Sequence, residues 1–373
     1  MMVAGMVVAV TPMAGFLGGA VNPNGMEIAA GVGFFAGGIV LARRDHDVLP
    51  RGVLWLVGLS ALALAMLRTT GLLYLAVGLA ALVLPIPMTR LRALVRSTAV
   101  RVWFGVVAVA AVTSVLWILK MHTTDLGDFN PNHVHLSASQ AFIANMGYWP
   151  SYFQQMVGVT SWLDTRMFEP MYMIWESAAV FFVLLAVVLG TWRDRWRLLV
   201  VFSGGFLIPL AVQIRAANTV GFITQGRYLL PMLVGVLLLA GFVLDERGLE
   251  ARHCHAVIRL VTVAVLPIHL VCLAFTMSRW QNGLPLLNLA ISELNPFAAR
   301  GWSPPLGPAL PFLGEVVGVL LFGFLAWTRM AGSDAVTGVV GRTGVLRRRG
   351  RDDDAPPVPS ENRLVPEGAY SGV

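Results

Sequence analysis

The chain has 373 residues, of which 57% are hydrophobic and only 13% are charged, whereas a soluble domain carries about a quarter charged residues. These charges are too few to cover a folded protein of 40.3 kDa, which excludes a soluble enzyme, a disordered chain and a coiled coil. The composition predicts an all-α integral membrane protein. The net charge is +7, but the arginines lie in short segments between apolar runs, so we expect no nucleic-acid partner.

Ten segments approach the roughly 20 apolar residues that a helix needs to cross the bilayer core. We therefore predict a polytopic transmembrane helix bundle in residues 1–329, followed by a disordered cytoplasmic tail in residues 330–373, which is rich in Gly, Arg, Asp and Pro. The predicted spans are Met2–Leu17, Met26–Leu41, Val53–Leu67, Leu72–Met88, Val102–Leu119, Met171–Gly190, Leu198–Gln213, Tyr228–Leu244, Ala256–Phe275 and Leu310–Trp327.

Arginine placement orients the predicted bundle. With Arg43, Arg44 and Arg51 assigned to the cytoplasm and sides alternated at each span, only seven of the 27 basic residues fall outside. Because cytoplasmic segments carry an excess of basic residues, we predict a multi-pass protein of the cytoplasmic membrane with both termini cytoplasmic. Three long outer segments then run over residues 120–170, 214–227 and 276–309.

The first outer segment is rich in aromatic residues and has no charged residue between Asp128 and Asp164. A solvent-exposed loop would carry more charged residues, so we predict an outer-face interfacial helical segment with tryptophan and tyrosine at the level of the headgroups. The alternative is a small folded cap packed on the helix ends.

Ionisable residues inside apolar spans are costly and are therefore candidates for function. Glu27, Glu176 and Glu315 are predicted near the outer ends of their helices, which favours a polar cavity that opens to the outer leaflet. The alternative is that these acids reach the headgroups or pair structurally. Asn24 and Glu27 have the spacing of a capping box, and a helix amino end also favours an anion.

The best candidate for anion binding is the segment Gln225–Pro231, where an outer loop enters a span. Arg227 offers a planar guanidinium suited to phosphate, and Gly226 permits close backbone approach. Tyr228 is predicted at interfacial depth, and Arg215 lies across the same short loop. The alternative is an aromatic and arginine anchor at the membrane boundary.

Asp164 and a separate group of polar residues precede the sixth predicted span. Asp164 is interpreted either as a helix cap or as a carboxylate that faces the cavity. The other group has a spacing that matches no metal motif, so we predict neither a metal site nor a cofactor. Its members are His122, Asp125, Asp128, His133 and His135.

Four motifs, in this order between about Val10 and Trp327, resemble an uncharacterised bacterial family of predicted multi-pass membrane proteins with a domain of unknown function. They are Thr11-Pro12-Met13, Asn22–Glu27 (NPNGxE), Gly158–Thr165 with its WLDT sequence, and Gln225–Pro231 (QGRYxxP). That family is in turn similar to the C-type glycosyltransferases, multi-helix enzymes that use polyprenyl-phosphate sugars on the outer face. Those enzymes hold an acidic catalytic residue in the first outer loop. The corresponding region would lie upstream of Met1, so we expect the chain to lack its amino-terminal part.

The resemblance implies a glycosyltransferase-like protein of the cell envelope that acts on a lipid-linked sugar at the outer face, and it leaves open whether this form is active. The implied partners are the lipid bilayer and a polyprenyl-phosphate-linked sugar. The alternatives are a lipid or solute transporter or flippase, and a non-catalytic envelope assembly partner. The implied site has Asp164 and Glu27 as catalytic residues, Arg227, Arg215, Tyr228 and Gln225 as phosphate-binding residues, and Asn24 and Glu176 as supporting residues.

Overall fold

The computed structural model describes residues 1–43, 49–123, 135–283, 294–297 and 301–328. These residues form thirteen α-helices and a short 3-10 turn at Gly226–Tyr228, with no strand beyond a single bridge between Thr160 and Thr165. The predicted all-α class is confirmed for this part of the chain, and the predicted tail lies outside it. The helices are α1 (Met2–Ala9), α2 (Pro12–Gly19), α3 (Pro23–Arg43), α4 (Arg51–Leu67), α5 (Thr69–Val83), α6 (Met88–Arg96), α7 (Thr98–Met121), α8 (Ala138–Gly158), α9 (Glu169–Leu189), α10 (Trp192–Ala216), α11 (Leu230–Glu246), α12 (Ala251–Asn282) and α13 (Ala309–Thr328).

Six of the described helices are long and apolar enough to cross a membrane, namely α3, α7, α9, α10, α12 and α13. Helices α1 and α2 pass the same test together, although they are bent by 59° at the break between them. Helices α4 and α5 are apolar but shorter, with 17 and 15 residues. The chain is therefore a multi-pass helical protein, whereas the count of ten spans stays a prediction.

The first predicted span, Met2–Leu17, is not one continuous helix. Pro12 has no N–H and cannot continue a helix that approaches it, so α1 ends at Ala9 and α2 begins at Pro12 itself. The Thr11 hydroxyl accepts a hydrogen bond from the Ala14 amide at 3.3 Å and caps the new helix. The sequence pattern missed this break because the residues on both sides of it are apolar.

Side chains from two other helices bind the carbonyls that this break leaves free. Trp175 Nε1 on α9 donates to the Val8 carbonyl at 3.1 Å, and His269 Nε2 on α12 lies 3.1 Å from the Val10 carbonyl oxygen. An unsatisfied backbone group costs several kcal/mol in an apolar environment. These contacts therefore stabilise the broken helix and tie it to α9 and α12.

Helix α11 is the most buried helix, and α1, α3, α9 and α10 pack around it. Its backbone touches that of α3, since a Cβ atom at Gly31 would lie only 2.2 Å from the Pro231 carbonyl oxygen. Small residues that let two helix backbones approach are typical of helix pairs in membranes.

Helices α7 and α13 lie at the outside of the bundle and expose large apolar side chains. Ala110 is the buried residue of α7, and Phe104, Leu116, Leu320 and Phe324 are all exposed. A soluble monomer rarely exposes apolar patches on this scale. A lipid-facing surface explains the exposure without further partners.

A buried ionic group closes the end of the bundle where α10 begins and α11 ends. Asp194 accepts hydrogen bonds from the Thr191 hydroxyl at 2.7 Å and from Arg247 Nη2 at 2.6 Å. Arg197 Nη1 lies 3.6 Å from the same carboxylate, and both Asp194 and Arg197 are almost fully buried. We call this the arginine end of the bundle. It was not predicted, because α10 begins about two turns before the span expected from hydropathy.

Replacing Asp194 by Asn should strongly destabilise the protein. The substitution removes the carboxylate that lies 3.6 Å from Arg197 and 2.6 Å from Arg247, and breaking a buried ion pair in this way costs about 3–5 kcal/mol. Thermal unfolding in detergent should show a large decrease in the melting temperature. The matched control is Glu250→Gln, which removes the carboxylate of an exposed pair with Arg252 and should have little effect. Equal melting temperatures for the two variants would contradict the assignment.

Candidate functional site

The end of the bundle opposite the arginine end is built from three junctions and helix α8. The α2–α3 junction, the α4–α5 junction and the loop between α10 and α11 meet there, and we call it the site end. Gln213 on α10 holds the loop, because its Nε2 donates to the Gly221 carbonyl at 2.8 Å and its Oε1 accepts from the Thr224 amide at 2.7 Å.

The 3-10 turn at Gly226–Tyr228 is fixed by side chains from α8 and α5. The Gly226 amide donates to Gln155 Oε1 at 2.8 Å, and the Tyr74 hydroxyl donates to the Tyr228 carbonyl at 2.7 Å. A Cβ atom at Gly226 would lie 2.2 Å from the Tyr152 carbonyl oxygen. Glycine is therefore required by the close approach of this turn to α8.

Two arginines flank the ring of Tyr228. The Arg68 Cζ atom lies 4.2 Å from the ring centroid and the Arg227 Cζ atom lies 5.6 Å from it, both within the range of cation–π contacts. The two guanidinium carbons are therefore no more than about 10 Å apart, roughly one Debye length at 0.1 M salt. This arrangement concentrates positive charge around one tyrosine.

A buried carboxylate faces one of these arginines. Glu27 is fully buried, and its Oε2 lies 3.7 Å from Arg68 Nη1. Arg68 also donates a hydrogen bond to the Asn24 side-chain oxygen. Among the described residues, neither oxygen of Glu27 has a hydrogen-bond partner, and the same is true of the buried Arg227 Nε and Gln225 Oε1. The site thus carries two guanidinium groups, one carboxylate and unsatisfied polar atoms.

The capping box predicted for Asn24 and Glu27 is wrong. Helix α3 begins at Pro23, which suits the first helical position because it needs no N–H partner. The cap is therefore Asn22, whose side-chain oxygen accepts from the Asn24 amide at 2.9 Å. This shift frees the Asn24 side chain to bind Arg68 and places Glu27 beside the same guanidinium.

Asp164 is not a helix cap, since α9 begins only at Glu169. Its carboxylate pairs with Arg279, whose Nη2 lies 2.8 Å from Oδ2, and it also accepts from the Thr165 hydroxyl at 2.9 Å. The hydrogen bond from Arg279 holds the pKa of Asp164 below its ordinary value. Arg279 lies in the part of α12 that continues beyond the predicted span, and the structure therefore pairs Asp164 with Arg279 rather than with Arg227 or Arg215.

The Asp164 pair closes a tight turn between α8 and α9. Ser161 and Leu163 both have positive φ angles, +58° and +64°, in the left-handed region that residues other than glycine rarely adopt. The Trp162 ring between them is 81% exposed. The WLDT motif is therefore a strained turn that presents one tryptophan outward.

Two predicted site residues lie apart from the Arg68, Glu27 and Tyr228 contacts. Arg215 is exposed in the last turn of α10, and within the described parts of the chain it makes no ion pair or hydrogen bond. Glu176 is on α9 and faces an apolar cavity between helices. Their predicted roles in phosphate binding and support stay predictions.

Arg68 is the site residue that sequence reasoning did not select. It was assigned to the outer side with six other basic residues, and no local motif distinguished it. Its position between two short apolar helices, α4 and α5, was the available signal. A guanidinium at such a junction needs a partner, and the nearby junction that contains Asn24 and Glu27 supplies it.

Helix α8 occupies the first outer segment and packs on α2, α9, α10 and the 3-10 turn. Its Trp149 ring stacks on Phe206 of α10 at 4.3 Å between centroids, and Tyr152 is buried. These contacts favour the interpretation of a cap packed on the helix ends. The interfacial position of α8 remains a prediction.

The predicted absence of a metal site stays a prediction. In the described ranges, no group of three or more His, Cys, Asp or Glu side chains is arranged to hold a metal ion. Asp125, Asp128 and His133 lie outside the described residues.

The fold and the polar site define an all-helical, multi-pass membrane protein. The chain belongs to the family described as predicted membrane protein (DUF2142), whose model matches residues 1–236. No curated protein sequence and no solved structure matches the chain. Membership of an uncharacterised family of predicted membrane proteins is thereby confirmed over residues 1–236, whereas the four motifs and the similarity to C-type glycosyltransferases stay predictions.

The Asp164–Arg279 pair should make stability depend on acidic pH. A carboxyl group whose folded pKa lies below its ordinary value of 3.8 stabilises the fold above that pH, and this contribution is lost as pH falls through the folded pKa. The melting temperature of Asp164→Asn should therefore lie below that of the wild type at pH 6, and the difference should shrink below pH 3.8. Glu169→Gln, which alters an exposed pair with Arg166, serves as the control. A difference that stays constant with pH would contradict the assignment.

Proposed function

We propose that the protein binds the phosphate of a lipid-linked sugar at the site end and acts as a glycosyltransferase-like protein of the cell envelope. The observation that carries the proposal is the pair of guanidinium groups around Tyr228, with Glu27 beside one of them. Arginine is suited to phosphate because its planar donors bind two oxygens at once.

The charges around Tyr228 favour an anionic ligand. Arg68 and Arg227 together carry two positive charges, and Glu27 compensates for one of them. Arg227 Nε is buried without a hydrogen-bond partner among the residues described here. A phosphate between the two arginines supplies an acceptor for that donor and the missing negative charge.

The same arrangement offers a route to group transfer. A phosphate held by Arg227 and Arg68 competes with Glu27 for the Arg68 guanidinium, which leaves the carboxylate free to accept the proton of an acceptor hydroxyl. The acceptor oxygen then bonds to the anomeric carbon of the sugar. The bond from that carbon to the phosphate oxygen breaks with its electron pair, and polyprenyl phosphate leaves. Gln225 and Asn24 orient the groups, and Arg215 on α10 extends the cationic surface.

Binding of farnesyl phosphate to the purified protein in nanodiscs tests the proposed site. Arg227→Ala should weaken binding about tenfold or more, since a hydrogen bond to a charged group contributes about 1.5–3 kcal/mol, and Arg227→Lys should lose less. Farnesol, which lacks the phosphate, should bind equally to the wild type and to Arg227→Ala. The dissociation constants are measured by thermophoresis.

The control variant is Arg166→Ala, which removes an exposed arginine at the same end of the bundle. It should leave farnesyl phosphate binding unchanged. Arg215→Ala tests whether this second arginine joins the site, as the sequence predicts. Equal affinities of Arg227→Ala and Arg166→Ala for farnesyl phosphate would overturn the proposed phosphate site.

A transporter or flippase is the second candidate, and the break between α1 and α2 is the observation that favours it. Discontinuous helices are common in secondary transporters, where they form the substrate site. Here Trp175 and His269 contact the carbonyl oxygens of Val8 and Val10. These carbonyls are therefore not available to a substrate, which weakens this candidate. Movement of a fluorescent polyprenyl phosphate across the membrane of proteoliposomes, without sugar transfer, would favour it.

We also propose that the site end faces away from the cytoplasm. The arginine-rich segments around α6 and the start of α10 lie at the other end of the bundle, and positive residues are retained on the cytoplasmic side. This orientation gives the cytoplasmic membrane protein with cytoplasmic termini that the sequence predicts, and it places Arg227 where outer-face lipid phosphates lie.

Labelling of intact cells with a membrane-impermeant maleimide tests this orientation. The exposed Trp162→Cys at the site end should react from outside, whereas the native Cys254, at the start of α12, should react only after permeabilisation. The wild type, which carries Cys254 and the buried Cys272, is the matched control. Reaction of Cys254 in intact cells would reverse the proposed orientation.

A further inference from the structure

The consecutive helices α9 and α10 diverge and leave a cavity between them, and α11 forms its floor. The cavity has a volume of about 810 Å³, within the roughly 300–1,000 Å³ of ligand pockets. Its walls are almost entirely apolar, with Val183 and Leu184 from α9, Trp196 and Phe202 from α10 and Leu233 from α11.

The cavity is an elongated groove rather than a compact pocket. Its lining runs from Trp175 to Val187 on α9 and from Trp192 to Phe206 on α10. At 1.5 Å per residue, these stretches are about 18 and 21 Å long, more than half of the ~30 Å hydrocarbon core of a bilayer. Ala9 of α1, Thr11 at the break before α2 and Met156 of α8 line its end near the site.

Glu176 gives this groove one polar position. Its side chain belongs to the lining, and its Oε1 is buried with no hydrogen-bond partner among the described residues. The other ionisable residue of the lining, Arg195, donates from Nε and Nη2 to the carbonyls of Val187 and Val188. A buried acceptor without a donor is costly, so the groove is suited to a ligand with a hydrogen-bond donor at Glu176.

We propose that the groove binds a lipid, with one hydrocarbon chain along α11 and a hydrogen-bond-donating head, a hydroxyl or an amine, at Glu176. An extended apolar channel matches a chain, and a carboxylate matches a donor rather than an anionic phosphate. A partner transmembrane helix fits poorly, because it must cross the full bilayer, whereas Thr11 and Met156 line the groove where it reaches α1 and α8. The proposal stands on Glu176 and the groove and does not require the phosphate site at Arg227.

Photolabelling of the full chain in nanodiscs tests this assignment. The probes are a long-chain alcohol with a diazirine in its chain and the methyl ether of the same alcohol, which has no donor. Mass spectrometry should find the alcohol on peptides of α9, α10 and α11. The wild type should be labelled about tenfold more by the alcohol than by the ether, the size of one hydrogen bond to a charged acceptor.

The same valine-to-tryptophan substitution at two positions of α9 distinguishes the groove from the lipid-facing surface of the bundle. Val183→Trp fills the groove and should reduce labelling of these peptides about tenfold, since an overpacked site must expel the chain. Val188→Trp makes the same change at a residue of α9 that is 68% exposed and outside the groove, and it should leave labelling unchanged. Melting temperatures verify that both variants are folded.

A third variant tests the polar end of the groove. Glu176→Leu keeps a side chain of similar length but removes the acceptor, so the preference for the alcohol over the ether should disappear while labelling of the groove persists. Equal labelling of Val183→Trp and Val188→Trp, or a groove occupied by a co-purified protein helix, would overturn the proposal. Arg227→Ala should not alter this labelling, which separates failure here from failure of the phosphate site.

Discussion

The turn that leads into α11 is held by side chains from other helices, and the geometry of the site end depends on these bonds. The Gly226 amide binds Gln155 of α8, and the Tyr228 carbonyl binds Tyr74 of α5. In an apolar bundle no water replaces such partners, so losing either bond would leave a backbone group unsatisfied, which is costly. The turn therefore links α5, α8 and α11, and it holds Tyr228 within cation–π distance of Arg68 and Arg227.

The same constraint explains the other irregular segments of the backbone. The break between α1 and α2 exposes two carbonyls, and Trp175 and His269 bind them. The turn before α9 contains a backbone bond from the Thr160 amide to the Thr165 carbonyl, and the Thr160 hydroxyl contacts that of Thr276 on α12. In both places, polar side chains thus stabilise an irregular part of the backbone between helices. Among the described residues, Glu27, Glu176 and Arg227 are three of those with buried polar atoms that lack a hydrogen-bond partner, and these three belong to the site end or to the apolar cavity.

Hydropathy predicts the helices of this chain well, because a continuous apolar run leaves few alternatives to a helix. The predicted span Met171–Gly190 corresponds closely to α9 at Glu169–Leu189. The errors arise where polar residues continue or interrupt a helix. Helix α10 begins at Trp192 through a capping box of Thr191 and Asp194, which a hydropathy window excludes. Helix α12 continues to Asn282, beyond the predicted span, and in this polar extension Arg279 binds Asp164.

The candidate site could be predicted only in part from the sequence. The sequence selects Arg227, Tyr228 and Glu27 for the site, and in the structure Tyr228 and Glu27 both lie close to Arg68. Their partner Arg68 lies 41 residues from Glu27 along the chain. Which guanidinium meets which carboxylate depends on how the helices pack, and hydropathy carries no information about that. Asp164 and Glu27 therefore looked equivalent, although each has its own arginine.

The relation between the polar site and the apolar groove favours a lipid ligand over a small solute. Met156 of α8 and Leu230 of α11 line the groove, and both belong to the apolar cluster against which Tyr228 packs. The charged site and the groove are therefore adjacent, with Met156 and Leu230 packed between them. A water-soluble substrate would gain nothing from an apolar channel that runs more than halfway across the bilayer, because it has no surface to bury there. A ligand with a long chain and a hydrogen-bond-donating head can bury the chain in the groove and place the head at Glu176, whereas a phosphate at Arg227 would occupy the adjacent polar site.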